Sequence, residues 1–402
     1  MTAPGRATVG AAAERADRAT GRRLTVVHTE CSKGWGGQEI RILAEARGVA
    51  ARGHRVVVIG HPEGRLLERA REAGLAVRAL RMRNSFDLAA IAALARILRK
   101  ERADVVNTHS STDAWIGAFA AKLTAVALVR TRHVSILVRR HVLNFVHRMP
   151  AAVITTGEAV RARLVADLGL PAQRVVSIPT GIDTEFFRPQ PRPEELRQRL
   201  AIPRSAAVVA SVAVLRRKKR HDVLLHAVAE LCRSRDVHCV LAGEGSQRRA
   251  IESMARDLDL TDRVHLLGHV EDVRAVLNGS DVVVSCSSGM EGVPQAVIQA
   301  LAMTRAVVAT DDGAVRELIE DGRTGLLVPP NRPRAVAEAV ERFLREPGFA
   351  RECGRLGREH ALRHYSQDEM VDRVLRLYEA VLARAFAPPR RWAPSSGDGQ
   401  GR

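Results

Sequence analysis

Short apolar, β-branched runs alternate with longer segments of helical period along almost the whole chain. In the first half these runs predict strands at 24–28, 55–60, 104–109, 125–130, 151–155 and 175–179. In the second half they predict strands at 206–215, 237–243, 264–268, 281–285, 306–310 and 325–328. Near-continuous apolar runs suit parallel strands covered on both faces, and regular strand–helix alternation marks stacked βαβ units. Three close prolines within 186–195 break the pattern and predict a linker. The expected fold is α/β, two doubly wound Rossmann-like domains facing across a cleft, at 22–184 and 185–364. A last helix is expected at 365–387, with disordered tails at 1–21 and 388–402. Ligands of such sheets bind outside the carboxyl ends of the strands, so the loops there are the places to look for chemistry.

The stretch DVVVSCSSGMEGVPQAVIQALAM (281–303) reads as a buried strand, a polar turn and a helix. Pro294 is expected in the first helical turn, where its missing N–H costs nothing. Helix N–H groups at that start favour a phosphate. Glu291 and Gln299 stand eight positions apart, roughly 12 Å along a helix and on one side of it. Such a pair can hold both ends of a long ligand such as a nucleoside-diphosphate sugar. The alternative is a plain buried βα unit with a surface glutamate.

Five other loops carry candidate chemistry. CSKGWGGQE (31–39) offers Gly34, Gly36 and Gly37 for close backbone approach to a ligand. It departs from G-x-G-x-x-G and no acidic residue follows at the NAD-ribose spacing, which disfavours a dehydrogenase. Helix–strand packing alone would also explain these glycines. In NTHSSTD (107–113) His109 leaves a strand, where an imidazole can meet a phosphate or a sugar hydroxyl, and Asp113 could orient it or bind an acceptor. A satisfied structural histidine is the other reading. The run 130–148 is rich in Arg and His; Arg132 and His133 follow a strand, whereas Arg139, Arg140 and Arg148 fit either a solvated face or an anionic lipid surface. Pro179 and Gly181 in IPTGIDTEFF (178–187) mark a turn suited to a hinge. Arg216 and Lys219, in a basic run at a strand end, can neutralise a diphosphate as a leaving group, unless the run is a plain surface patch.

Composition narrows the classes. The balance of 63 Lys+Arg against 45 Asp+Glu gives +18 and a pI near 11.0, which favours phosphates, acidic membranes or nucleic acid as partners. Aromatic residues make up only 3%, which argues against single-stranded nucleic acid held by stacking. Five scattered cysteines without a C-x-x-C fit a reducing, cytoplasmic setting. No apolar run reaches the roughly 18 residues of a membrane span, and the N-terminus lacks the apolar core of a secretory signal.

In this order the motifs resemble the family 4 retaining glycosyltransferases of the GT-B fold, over about residues 22–385. They are GGQE (36–39), ARGH (51–54), His109, IPTGID (178–183), LRRKKRHDVLLHA (215–227), LAGEG (241–245), LLGHVEDV (266–273), EGVPQAVIQALAM (291–303) and DGRTGLLVPP (321–330). The resemblance implies that a nucleotide sugar, expected to be a UDP-sugar, binds mainly to the second domain and an acceptor to the first. It also implies that the last helix crosses back to the first domain. Its implied catalytic group is His109, Arg216, Lys219 and Glu291. The implied donor-binding group is Gly36, Gly37, Glu244, Gly268, Val293, Pro294 and Gln299.

The chain departs from the family pattern at three places: Gln299 replaces a glutamate, Val214 a frequent arginine, and Thr304 and Ala306 a frequent Gly and Pro. Fixed cations in place of a metal, a glycan or lipid-linked acceptor, and a role in lipopolysaccharide or surface-polysaccharide synthesis complete the expectation. The enzyme would be cytoplasmic, free or peripheral on the inner face of the cytoplasmic membrane, without nucleic acid. A nucleotide-sugar epimerase of the same fold, or a non-enzymatic anion-binding protein, would share parts of this pattern.

Overall fold

The computed structural model describes residues 22–133, 142–191, 194–289 and 292–386. The expected tails, Arg139, Arg140 and Glu291 lie outside the described residues.

The first sheet holds seven parallel strands, β1 (Thr25–Glu30), β2 (Arg55–Gly60), β3 (Ala76–Ala79), β4 (Val105–Thr108), β5 (Ala127–Arg132), β6 (Ala152–Thr155) and β7 (Val175–Ser177). Their spatial order is β3-β2-β1-β4-β5-β6-β7. The second sheet holds β8 (Ala207–Val212), β9 (Val237–Ala242), β10 (Val264–Gly268), β11 (Val282–Ser285), β12 (Ala306–Thr310) and β13 (Leu326–Val328), in the order β10-β9-β8-β11-β12-β13. Val26, Val27, Val57, Val58, Val105 and Val106 are all fully buried, because helices cover both faces. Two Rossmann-like domains of the GT-B kind result.

β3 has no counterpart among the strands expected from the apolar pattern. Its four residues, AVRA, are half-exposed at the sheet edge and carry almost no apolar signal. β5 also runs two residues further than the pattern predicts, so Arg132, expected to follow a strand, lies within it. Arg130 and Arg132 are strand residues, only 5% and 8% exposed, so neither belongs to a solvated or lipid-facing surface. Arg130 is bonded to His147, whose imidazole burial and the two arginines hold at about 3.

Five helices position the loops of the site: α1 (Gly37–Ala51), α2 (Ser111–Thr124), α3 (Glu158–Leu168), α4 (Gln295–Ala302) and α5 (Gln367–Phe386). Met370, Val371, Val374 and Tyr378 of α5 join Val26, Ile42, Val49 and Val58 in the core of the first sheet. Gly48 on α1 leaves no room for a Cβ against Val371, so the two helices touch backbone to side chain. A buried polar network locks them. The Tyr378 hydroxyl donates to Glu45 (2.8 Å) and accepts from Asn107 (2.9 Å), while the Arg41 guanidinium donates to the Ile178 carbonyl (2.7 Å).

The chain passes twice between the domains, and the two passages run side by side. Ile182 N–H donates to the Tyr365 carbonyl (2.9 Å) and Gln367 N–H to the Ile182 carbonyl (2.8 Å).

Candidate active site

In each sheet the strand order reverses once, between β1 and β4 and between β8 and β11. A crevice opens at the carboxyl ends of the strands at such a reversal. The site is therefore built from the loops after these four strands, and from His133 directly after β5.

On the first domain, Glu30 ends β1 and is fully buried. Its carboxyl accepts from Ser32 N–H (2.8 Å) and from the Gln38 amide, so it ties down both ends of the glycine loop. Burial, and next the charge of Asp113, push it up to about 8. Asp113 itself accepts from His109 N–H (2.8 Å), Ser110 N–H (2.7 Å), the Ser110 hydroxyl (2.6 Å) and the Thr29 hydroxyl (2.8 Å). It thus caps α2 and holds the backbone of His109, not its ring, which corrects the orienting role expected for it.

Glu30 gives a testable pH dependence. Between about 4.5 and about 8 the folded chain keeps a proton that the unfolded chain has lost. Its stabilising effect is full below the lower value and falls as pH rises through that window, by up to about 1.4 kcal/mol per pH unit. Glu30→Gln should therefore gain in melting temperature relative to the parent as pH rises from 5.5 to 8. Parallel curves would mean that Glu30 is ionised throughout.

The His109 ring is buried, and both its nitrogens are engaged. Nε2 lies 3.0 Å from His28 Nδ1, and Nδ1 lies 3.0 Å from His133 Nε2. No ring nitrogen is left to meet a sugar directly, a correction to the role the resemblance implies. Gly36 N–H donates to Glu39 (2.9 Å), and neither Gly36 nor Gly37 is crowded by the protein. Their lack of side chains answers no internal packing need.

On the second domain, β8 leads into a 3-10 turn, Arg217–Lys219. Arg216, Arg217 and Lys218 are exposed and Lys219 is half-buried. Arg220 takes a left-handed conformation (φ 49°) and turns its guanidinium onto Asp222 (2.7 Å). Ser288 N–H donates to the Lys218 carbonyl (2.8 Å), so the loops after β8 and β11 are fastened together. Between them lies a cavity of about 570 Å³ lined by Arg216, Arg217, Lys218, Gln247, Ser288 and Gly289. Its size is in the range of small-molecule sites.

Gly268 (φ 74°) sits where a Cβ would come within 2.8 Å of Glu244 Oε1, and the Glu244 carboxylate pairs with Arg248 (2.8 Å). Pro294 is the N-cap of α4 rather than a residue of its first turn, so the helix starts at Gln295. Residues 292–294 therefore lie outside the helix, so the expected helical spacing back from Gln299 ends at Gln295, and Glu291 itself is outside the described residues. Gln299 is half-buried, and its amide has no partner among the described residues.

The domains meet over this site. Gln295 donates to the Gly37 carbonyl (3.0 Å) and Val293 N–H to the Thr156 carbonyl (2.9 Å). Val293 is expected to bind the donor, but its N–H is spent on the first domain. Glu317 accepts from Glu158 N–H (2.7 Å) and Ala159 N–H (3.1 Å), capping α3 from across the cleft. Gln295, Thr156 and Glu317 were not legible as partners, because only the domain docking brings them together.

Two family models cover most of the chain: residues 35–186 match Glycosyltransferase Family 4 and residues 193–360 match Glycosyl transferases group 1. The chain belongs to the family 4 glycosyltransferases. It is a glycosyltransferase that uses a nucleotide-sugar donor. Among similar proteins is EpsD of Bacillus subtilis strain 168, itself named only as a candidate glycosyltransferase, at 26% identity over 326 residues, 75% of this chain and 83% of that one. The D-inositol 3-phosphate glycosyltransferase of Acidothermus cellulolyticus is 28% identical over 321 residues, covering 73% of this chain and 71% of its own. The solved structure of Anabaena Alr3699/HepE in complex with UDP-glucose shares the fold of this glycosyltransferase, with a TM-score of 0.80, 18% identity, and coverage of 89% and 100%.

Proposed function

We propose that the enzyme transfers a sugar from a UDP-sugar to a glycan or lipid-linked acceptor with retention at the anomeric carbon, in lipopolysaccharide or cell-surface polysaccharide synthesis. The observation that carries this reading is the meeting of the Arg216–Lys219 turn with the loop that leads into α4, at the β8/β11 crevice. A diphosphate there meets cations held by backbone bonds and the unpaired N–H groups of a helix start, which stabilise departing charge without a metal ion. In retaining chemistry of this kind the departing phosphate takes the acceptor's proton, and no side chain is assigned as base. A thermal-shift screen over nucleotide sugars identifies the donor, since a ligand at 100 times its Kd stabilises by roughly 2.7 kcal/mol. NMR of the product anomer then decides the stereochemistry, and an inverted linkage would refute retention.

A lipid-linked acceptor is met at a bilayer surface. No helix among the described residues is long and apolar enough to cross a membrane. An aromatic patch on the first domain supports peripheral binding on the inner face of the cytoplasmic membrane. Phe86, Leu88, Leu123 and Phe145 are 65, 77, 60 and 46% exposed. Trp115 joins Phe86 and Phe145, with ring centroids 5.0 and 5.4 Å apart. Exposed Arg83, Lys122 and Arg148 lie in the same segments, and each cation near an anionic surface is worth about 1 kcal/mol. Phe86→Ser with Phe145→Ser should weaken co-sedimentation with vesicles containing phosphatidylglycerol and leave the donor thermal shift intact. Unchanged sedimentation would point to a soluble acceptor.

A further inference from the structure

Three imidazoles lie in a row under the cleft, one from each of three neighbouring strands. His28 is on β1, His109 follows β4 and His133 follows β5. His28 is 0% and His109 4% exposed, while His133 is half-buried. The ring nitrogens approach to 3.0 Å at both junctions, with ring centroids 5.2 and 5.3 Å apart. The segments after β1 and β6 meet the second domain, Gly37 at the start of α1 through Gln295 and Thr156 through Val293. His133 ends the row at the carboxyl edge of the sheet, directly after a strand that lies between β1 and β6.

Burial holds all three rings below their ordinary value, so each is neutral near pH 7. A neutral imidazole has one donor and one acceptor. Only two arrangements then make both bonds. In the first, each ring carries its proton on Nδ1: His28 donates to His109, His109 donates to His133, and His133 presents an N–H outward. In the second, each proton sits on Nε2 and His133 presents a lone pair.

The buried end chooses between them. His28 Nε2 is buried without a partner among the described residues, as are Arg41 Nε, Arg41 Nη2 and Glu45 Oε2. Arg41 Nε and Glu45 Oε2 form an ion pair at 3.7 Å, too long for a hydrogen bond, so this network holds two buried donors without a hydrogen bond, Arg41 Nε and Nη2, against one such acceptor, Glu45 Oε2. A lone pair on His28 Nε2 adds no further donor there. An N–H would add a third, and an unmatched buried N–H is the rarer defect.

We propose that His133, with its Nδ1–H, is the imidazole that meets a hydroxyl oxygen of the transferred sugar. His109 and His28 are positioning residues that fix its tautomer. The inference rests on the glycosyltransferase reading, but the tautomers themselves can be read without turnover.

Protein labelled with ¹⁵N-histidine should show Nδ1–H tautomers for His28, His109 and His133 in long-range ¹H–¹⁵N correlations, assigned by single substitutions. Nε2–H forms at these three positions would overturn the proposal. Adding the UDP-sugar that gives the largest thermal shift should move the His133 Nδ1 signal most; a shift confined to His109 would also overturn it. In kinetics, His28→Gln, whose amide N–H can still donate to His109, should keep kcat within about threefold. His28→Leu should lose tenfold or more in kcat while the thermal shift with UDP stays the same. Equal activity of the two variants, or parental turnover in His133→Ala, would show that the row has only a packing role. Failure of the transferase reading itself would appear separately, as no thermal shift with any nucleotide sugar.

Discussion

Replacing Lys219 with alanine is expected to lower kcat/KM for the nucleotide sugar by about ten- to a hundredfold. A charge-assisted contact to a diphosphate is worth on the order of 1.5–3 kcal/mol, and the loss falls on kcat when the contact strengthens as the diphosphate departs. The turn that carries Lys219 is rigid, because Lys219 N–H donates to the Arg216 carbonyl (2.9 Å) and Ser288 N–H to the Lys218 carbonyl (2.8 Å). The ammonium also acts on the second-domain wall of the cavity: burial, and next the charge of Lys219, hold His221 at about 4. Arg217→Ala should cost less, because this side chain, although it lines the cavity, is exposed and its charge is screened by water. On the proposed role of the cations in place of a metal, the parent's rate should be the same with and without EDTA. Release of the nucleoside diphosphate from the donor measures all three. Near-normal turnover in Lys219→Ala would remove the basic turn from the mechanism.

Gly181→Ala should destabilise the whole chain and loosen the domains together. A Cβ at Gly181 would overlap the Ser366 carbonyl and come within 2.7 Å of Gln367 Cα. These are backbone atoms, so one of the two passages between the domains has to move. Overpacking of this kind costs roughly 1–3 kcal/mol, with about 1 kcal/mol more for each of the Ile182 and Gln367 backbone bonds that opens. Gly348→Ala is the matched control, since nothing lies within 4 Å of a Cβ there and the site is helical. The urea midpoint should fall for Gly181→Ala and hold or rise slightly for the control. If both variants unfold with the parent, the crossing does not act as a joint.

The alternation of apolar runs with helical segments was enough to read two doubly wound domains, because strands buried on both faces must be apolar along their whole length. The placement of Gly36, Gly37, His109, Arg216 and Lys219 at strand ends was also legible, since short polar loops after such runs can only lie at the carboxyl edge. Chain order does not state which strands are neighbours. β1 pairs with β4, and β4 with β5, and this adjacency alone turns three histidines that stand 81 and 24 residues apart into one hydrogen-bonded row. It is also what consumes both nitrogens of His109. The protonation of Glu30 was not readable either, because it depends on burial beside Asp113, 83 positions away in the sequence. The helix α4 begins one residue later than expected for a local reason: Pro294 takes an extended ψ of 119° and caps the helix, which leaves 292–294 outside it. Sequence thus determined the elements and the edge at which chemistry gathers, since both follow from local polarity. Tertiary structure decided which side chains meet, since strand order, domain docking and the return of α5 are set by packing between distant segments.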